Sequence, residues 1–225
     1  MYRHNKLMML SAVAGLLLPG AAFAAVAGIE TFDADTAGFV ASTLSSTVVH
    51  SGTGGNPDGH ILVRKDLSVD FQIGALTTDA DFTGDYAAAG IVQAAVDVNF
   101  VTDNVTAAWL RFRPDVATNG WRYPLTAVFP QNVWNTYTVN FNPAWTNLQA
   151  TAAGWITDQD AEPGVDPSPS FASVMSGVYS AEVRFASDGS TIVGIDNFAL
   201  VVPEPTTGVL ALLCAGFVPR RQRRS

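Results

Sequence analysis

The stretch Tyr179-Ser180-Ala181-Glu182-Val183-Arg184-Phe185 decides the fold class. Apolar or aromatic residues at 179, 181, 183 and 185 alternate with Ser, Glu and Arg. Side chains of an extended chain point to opposite faces in turn, so the run offers one apolar face and one wetter face. The same period recurs upstream. Leu67, Val69, Phe71 and Ile73 alternate with Ser68, Asp70 and Gln72; Val96, Val98 and Phe100 alternate with Asp97 and Asn99. Leu110 and Phe112 alternate with Trp109, Arg111 and Arg113; Tyr137, Val139 and Phe141 alternate with Thr138 and Asn140. Gly, Asn, Asp and Pro bound these runs, and no long segment from Ala25 to Val202 has a helical period. Such strands predict an all-β chain folded as a β-sandwich.

Two local features refine this. A short helix is expected at Phe171–Met175 with Ser170 as its N-cap. In the last strand Val193 and Ile195 occupy odd positions, while Phe198 and Leu200 occupy even ones. The apolar phase flips across Asp196-Asn197, and a β-bulge there would turn both pairs to the core.

The two ends read differently. Arg3 and Lys6 precede an apolar stretch, Leu7 to Leu18, then Pro19-Gly20 and Ala22-Phe23-Ala24. Basic flank, apolar run, breaker and small-x-small site predict a signal peptide over residues 1–24, with Ala27 as a second cleavage site. At the other end Pro203-Glu204-Pro205 precedes the apolar run Thr206–Val218 and then Arg220, Arg221, Arg223 and Arg224. As a helix that run is about 20 Å long, short against a hydrocarbon core of about 30 Å, and its arginines belong on the cytoplasmic side. The predicted organisation is a signal helix (1–24), a sandwich (25–201) and a tail with a short membrane helix (202–225).

The tail resembles the PEP-CTERM sorting signal. That resemblance implies an exosortase partner, with Pro203, Glu204 and Pro205 as recognition residues and Arg220, Arg221, Arg223 and Arg224 as the stop signal. It also implies an exported protein with a transient inner-membrane intermediate, delivered to the cell surface or exopolysaccharide matrix of a Gram-negative bacterium. The apolar run is shorter than is usual for that family, and Pro219 interrupts it before the arginines. A plain membrane anchor is the competing reading.

Charge follows the same division. The chain has 12 basic and 20 acidic residues, net −8. Six of the bases and one of the acids lie in residues 1–24 and 203–225, which leaves 6 and 19 in the body, net −13. A body this acidic lacks the basic stripe of a nucleic-acid binder. The single cysteine, Cys214, lies in the tail, so the body holds no disulfide and no thiol nucleophile.

Within the body, Glu30-Thr31-Phe32-Asp33, Gly38-Phe39, Gly54-Gly55-Asn56-Pro57-Asp58-Gly59-His60-Ile61, Gly84-Asp85-Tyr86 and Gly194-Ile195-Asp196-Asn197-Phe198 follow in order. This series resembles the jelly-roll group that includes galactose-binding-like carbohydrate-binding modules and laminin IV domains. The resemblance implies a jelly-roll β-sandwich and a structural calcium between first and last strands, held by Glu30 or Asp33 and by Asp196. Hard carboxylate oxygens suit that ion. The bland alternative is that Asp33 and Asp35 form a turn and Asp196 bonds local backbone. Asp79–Asp85 and Asp158–Asp166 also carry spaced acids, but neither completes a calcium loop, and both are expected to be solvated.

Sugar binding needs aromatic faces beside polar groups. Trp109, on the wet face with Arg111 and Arg113, and Trp121 with Tyr123, in an expected turn after Asn119-Gly120, are the candidates; Trp134 and Trp145 are expected to pack. Catalysis has weaker support. His50 reads as an end-of-strand surface residue and His60 as a strand start; neither joins a triad pattern, and no phosphate loop or His-Glu-x-x-His is present. The expected function is therefore noncatalytic, with polysaccharide as a partner and no nucleic acid. A glycan hydrolase with paired acids and a purely structural matrix protein are the alternatives.

Overall fold

The structure is a computed structural model that describes residues 25–65, 71–161, 164 and 166–203. The expected signal helix, and the tail from Glu204 with its four arginines, lie outside the described residues. Among the described residues no helix is long and apolar enough to cross a membrane.

Two antiparallel sheets pack face to face. The first contains β1 (Ala25–Glu30), β3 (Ser46–Ser51), β4 (His60–Lys65), β6 (Gln93–Phe100), β9 (Trp134–Asn140) and β12 (Thr191–Val202). Its order is β3-β4-β12-β6-β9, and β1 pairs with the second half of β12. The second contains β2 (Val40–Ala41), β5 (Gln72–Thr77), β7 (Val105–Arg113), β8 (Trp121–Thr126), β10 (Ile156–Thr157) and β11 (Ser180–Ser187), in the order β10-β8-β7-β11-β5-β2.

Most of the period-two residues form the core, whereas Phe71 and Tyr179 of the expected alternation are exposed. Val96, Val98, Phe100, Val193 and Ile195 of the first sheet are buried, as are Ile73, Leu110, Phe112, Ala181, Val183 and Phe185 of the second. Phe100 meets Phe185 edge to face at 6.2 Å between centroids. Each fully buried Val, Ile, Leu or Phe contributes roughly 1.5–3 kcal/mol, so these rows hold the sheets together.

The expected bulge is present. Val193–Asp196 lie opposite Phe100–Asp97, but Ala199 lies opposite Ala95, so β12 carries one residue more than β6 between those points. Asn197 takes the left-handed conformation (φ 49°) that Asn tolerates better than most residues. Val193, Ile195, Phe198 and Leu200 all reach the core as a result. The expected helix also forms: Ser170 Oγ accepts from Ser173 N–H at 3.2 Å ahead of Phe171–Met175. In the Asp79–Asp85 loop the acids cap turns, since Asp79 accepts from Asp81 N–H and Asp85 from Ala88 N–H, both at 2.9 Å.

Candidate functional site

The wet face of the second sheet carries the polar side chains that sequence alternation placed outside. Register makes the arrangement definite. Trp109, Arg111 and Arg113 of β7 lie opposite Arg184, Glu182 and Ser180 of β11; on the other side Trp109 and Arg111 lie opposite Pro124 and Arg122 of β8. Opposed residues share a face. Trp109 and Arg111 therefore sit together as expected, joined by Arg122, Glu182 and Arg184.

Trp121 and Tyr123 do not join them. In β8 they lie opposite the core residues Phe112 and Leu110, so the strand turns them inward. Trp121 is 1% exposed, donates from Nε1 to Pro169 O at 2.9 Å and meets Phe171 edge-on. Tyr123 packs at 5.5 Å on buried Trp155. The pair lies on a strand and not in a turn, and its register removes it from the exposed platform.

Arg111 is not an open ligand contact either. It is buried, with its guanidinium between two acids: Nη2 donates to Asp158 Oδ2 at 2.6 Å and Nη1 to Glu182 Oε2 at 3.0 Å. Arg122 Nε donates to Asp158 Oδ1 at 2.7 Å, and Gly120 N–H donates to Oδ2 at 2.6 Å. Burial alone would lower the Arg111 pKa, but the charges of Glu182 and Asp158 reverse this and raise it. Burial would likewise raise the Asp158 pKa, and Arg111 and Arg122 pull it below the usual carboxylate range. Asp158 thus departs from the expected solvated loop. It opens the short helix Asp158–Ala161 and is 1% exposed.

On this face Trp109 is half-buried, beside exposed Pro124 and half-buried Arg113 and Arg184. The Arg122 guanidinium carbon stands 5.2 Å from the Trp109 ring centroid. The tryptophan is held by a rigid, hydrogen-bonded base: aromatic surface, fixed donors and acceptors, and half-buried Arg184 beside it.

Of the acids proposed for calcium, Asp196 lies on the outer face of the first sheet, whereas Glu30 of β1 lies opposite the core residue Phe198. Asp196 of β12 lies opposite Asp97 of β6, and both are buried. The Gly-rich loop folds over them. Asn56 N–H donates to Asp196 Oδ2 at 2.5 Å, and Asn56 Nδ2 donates to Asp97 Oδ2 at 3.0 Å. Asn197, the bulge residue, donates from its backbone to Asp196 Oδ1 at 2.8 Å and from its side chain to Asp97 Oδ2 at 2.8 Å. Only glycine fits at 55, where a Cβ would overlap Gly59 O and lie 2.7 Å from Asp196 Oδ2.

Burial pushes the Asp196 pKa up to about 6. The Asn56 and Asn197 amides oppose this, and the charges of Asp97 and Asp33 add to it. Asp33 thus comes within electrostatic reach of Asp196. Glu30 is otherwise engaged, since its Oε1 accepts Phe32 N–H at 2.7 Å. Among the described residues no group of three or more His, Cys, Asp or Glu side chains stands close enough to hold a metal ion. His60 starts β4 as expected and lies edge-on to Trp134, whose Nε1 donates to Gly54 O at 2.9 Å. Burial, followed by the charge of His50, lowers the His60 pKa.

No protein-family model matches the sequence, and no curated protein does. Solved structures share its fold. A family 11 carbohydrate-binding module from Clostridium thermocellum, solved with a β-1,3-1,4-mixed-linked tetrasaccharide, has TM-score 0.51 and 14% identity over 77% of this chain and 94% of its own. The body is a β-sandwich of that architecture. A solution structure of CtCBM11 has TM-score 0.50 and 13% identity over 84% of this chain and 100% of its own. PfGH50B has TM-score 0.52 and 10% identity over 81% of this chain but 24% of its own. At these identities the likeness concerns the fold alone.

Proposed function

We propose that the body is a noncatalytic jelly-roll module that binds polysaccharide through the wet face of its second sheet. The observation that carries this reading is Trp109: an indole left half-open on a face otherwise locked by the Arg111–Asp158–Arg122–Glu182 lattice. Sugar rings stack on aromatic faces, and a pre-ordered base lowers the entropy cost of binding. The likeness to modules solved with or named for carbohydrate supports it. Affinity electrophoresis against neutral and acidic polysaccharides tests it. Trp109→Ala should weaken retention at least tenfold with the fold intact; unchanged retention would remove Trp109 from the site.

A hydrolase is the less favoured class. A general acid must hold a proton near neutral pH; on the Trp109 face Asp158 is held ionised by two arginines, and Asp196, pushed up to about 6, lies on the other sheet with both oxygens taken by the Asn56 and Asn197 amides. The purely structural alternative would be favoured if both Trp109 and Trp121 were buried. Trp121 is, and Trp109 is not.

The sorting reading belongs to the same proposal and is supported by the terminal sequences. The signal at 1–24 exports the chain, and the PEP-CTERM-like tail engages an exosortase in the inner membrane before delivery to the surface or matrix. Replacing Glu204 and the four arginines should leave the protein in the membrane fraction; normal surface delivery would refute this part.

For calcium, the test of fit is the electrostatics of Asp196. A buried carboxylate whose pKa is driven up by burial and by two neighbouring acids is the setting a divalent cation relieves. Asp196 and Asp33 from the expected set fit in charge, with Asp97 opposite Asp196, but not in spacing, since among the described residues no three acids stand close enough to hold the ion and they would have to be drawn together. Glu30 would have to release Phe32 N–H to join them. The ion would neutralise these acids beneath the Gly-rich loop.

A further inference from the structure

We propose that Glu182 reads a sugar hydroxyl on this face, and that the bound glycan is therefore neutral there; the inference rests on the carbohydrate-binding reading above. Glu182 is 0% exposed, and only one of its oxygens is satisfied by a hydrogen bond. Oε2 takes Arg111 Nη1, whereas buried Oε1 has no hydrogen-bond partner. The Arg184 Nε stands 3.9 Å from Oε1, an ion pair beyond hydrogen-bond reach. A second buried oxygen without a partner, Ser42 Oγ, lies over Gly74, where a Cβ would come within 2.6 Å of it. Gly74 is opposite Arg184, and Arg184 is opposite Trp109. Glu182, one row along β11, is thus diagonal to the indole. Trp109 of β7, Glu182 of β11 and Ser42 Oγ over Gly74 of β5 thus lie along one face.

A buried acceptor left unmade destabilises a fold by about 1–3 kcal/mol, so its persistence beside an open aromatic points to a donor supplied from outside. The chemistry of the neighbours selects that donor. A carboxylate or sulfate ester has no proton to give at neutral pH. An ammonium group has protons but would enter a face where Arg111, Arg113, Arg122 and Arg184 outnumber the two acids Asp158 and Glu182. A hydroxyl both donates and accepts. Placed about 2.8–2.9 Å from Oε1 and from Arg184 Nε, it would subtend about a right angle across their separation, which a hydroxyl oxygen accommodates. The ligand hydroxyl donates to Glu182 Oε1 and accepts from the Arg184 guanidinium, which moves outward to admit it. Ser42 Oγ serves the next hydroxyl along the chain.

The test uses the body with mixed-linked β-glucan, xylan and agarose as neutral probes and alginate and polygalacturonate as acidic ones. Neutral polymers should be retained and acidic ones not, with affinity nearly unchanged from 50 mM to 500 mM salt. Against the best neutral oligosaccharide, Glu182→Gln should weaken binding at least tenfold and Ser42→Ala severalfold. Because Glu182→Gln also disturbs a buried ion pair, wild-type protein should be titrated with monodeoxyfluoro oligosaccharides, whose fluorine cannot donate. At least one position should lose tenfold. Equal affinity for every analogue, or preference for the acidic polymers, would overturn the inference while leaving a Trp109-dependent glycan site standing. Absence of binding to any polymer would overturn both.

Discussion

Asp158 shows how one side chain can hold a surface in place. It accepts from Arg111, Arg122 and Gly120, and its backbone N–H reaches Ser168 Oγ at 3.3 Å. Removing one member of a buried charge network strands the rest, so Asp158→Ala should cost about 3–5 kcal/mol in denaturant unfolding, measured at pH 7. The pH dependence follows from the sign of its shift. A carboxylate whose folded pKa is depressed adds stability above its unfolded pKa near 3.9, and loses it as pH falls through the lower folded value. Asp158→Asn should therefore flatten the acid limb of melting temperature against pH; an unchanged limb would show that other carboxylates govern acid unfolding.

Glu182 and Arg184 were legible as wet-face residues from the alternation around them. Their pairing with Arg111 and Trp109 was not, because period two gives a face but no neighbour. Asp158 was illegible for a different reason: four nearby acids look like a solvated loop until the arginines that bury one of them are located in space.

At the level of elements, β8 carries the main correction. Asn119-Gly120 and Pro124 bracket Trp121 and read as turn chemistry, yet the segment pairs with β7 from Phe112 to Ala108. Gly120 makes this approach: a Cβ there would overlap Phe112 O. A strand's facing depends on register, and a one-residue slip would have put both aromatics outside. The Gly-rich loop between β3 and β4 is the converse case. Its glycines were visible in sequence, and the structure supplies the reason: Gly55 lies against Gly59 O and Gly59 against Phe32 O with no room for a Cβ, in the same loop whose Asn56 backbone and side-chain amides reach Asp196 and Asp97. Gly55→Ala should cost about 1–3 kcal/mol, the usual range for overpacking. Loop amides near Asn56 should also exchange faster, while the buried strands of the second sheet keep their protection. Uniform loss of protection would mean that the loop is integral to global stability and not a local clamp.

For the whole molecule, charge distribution and the acid cluster are two views of one balance. Of six basic residues in the body, four lie on one face of the second sheet and the other two, Arg64 and Lys65, on β4. The nineteen acids are spread more widely, so the body repels itself across much of its surface, and at buried Asp196 the charges of Asp97 and Asp33 add to the larger effect of burial. Two kinds of cation relieve this differently. Monovalent salt screens exposed charge over about 8–10 Å at moderate ionic strength and reaches buried acids weakly. Calcium bound to the native acids and not to the unfolded chain stabilises by mass action, about 2.7 kcal/mol at a hundred times its dissociation constant. Millimolar calcium should thus raise the melting temperature of the body well above the effect of sodium chloride matched in ionic strength, and EDTA should reverse the rise. Asp196→Asn separates the terms, because it removes the carboxylate that burial holds up to about pKa 6. A raised carboxylate pKa means that the native state loses stability as pH climbs toward and through that value; Asp196→Asn removes this dependence but sets its NH2 against the Asn56 or Asn197 N–H, so without calcium its melting temperature should vary less than that of wild type between pH 5 and 7, whatever its absolute level. It should gain little more when calcium is added. If wild type and Asp196→Asn respond equally to calcium, the ion acts elsewhere on the acidic surface and the cluster beneath the Gly-rich loop is a hydrogen-bonded clamp alone.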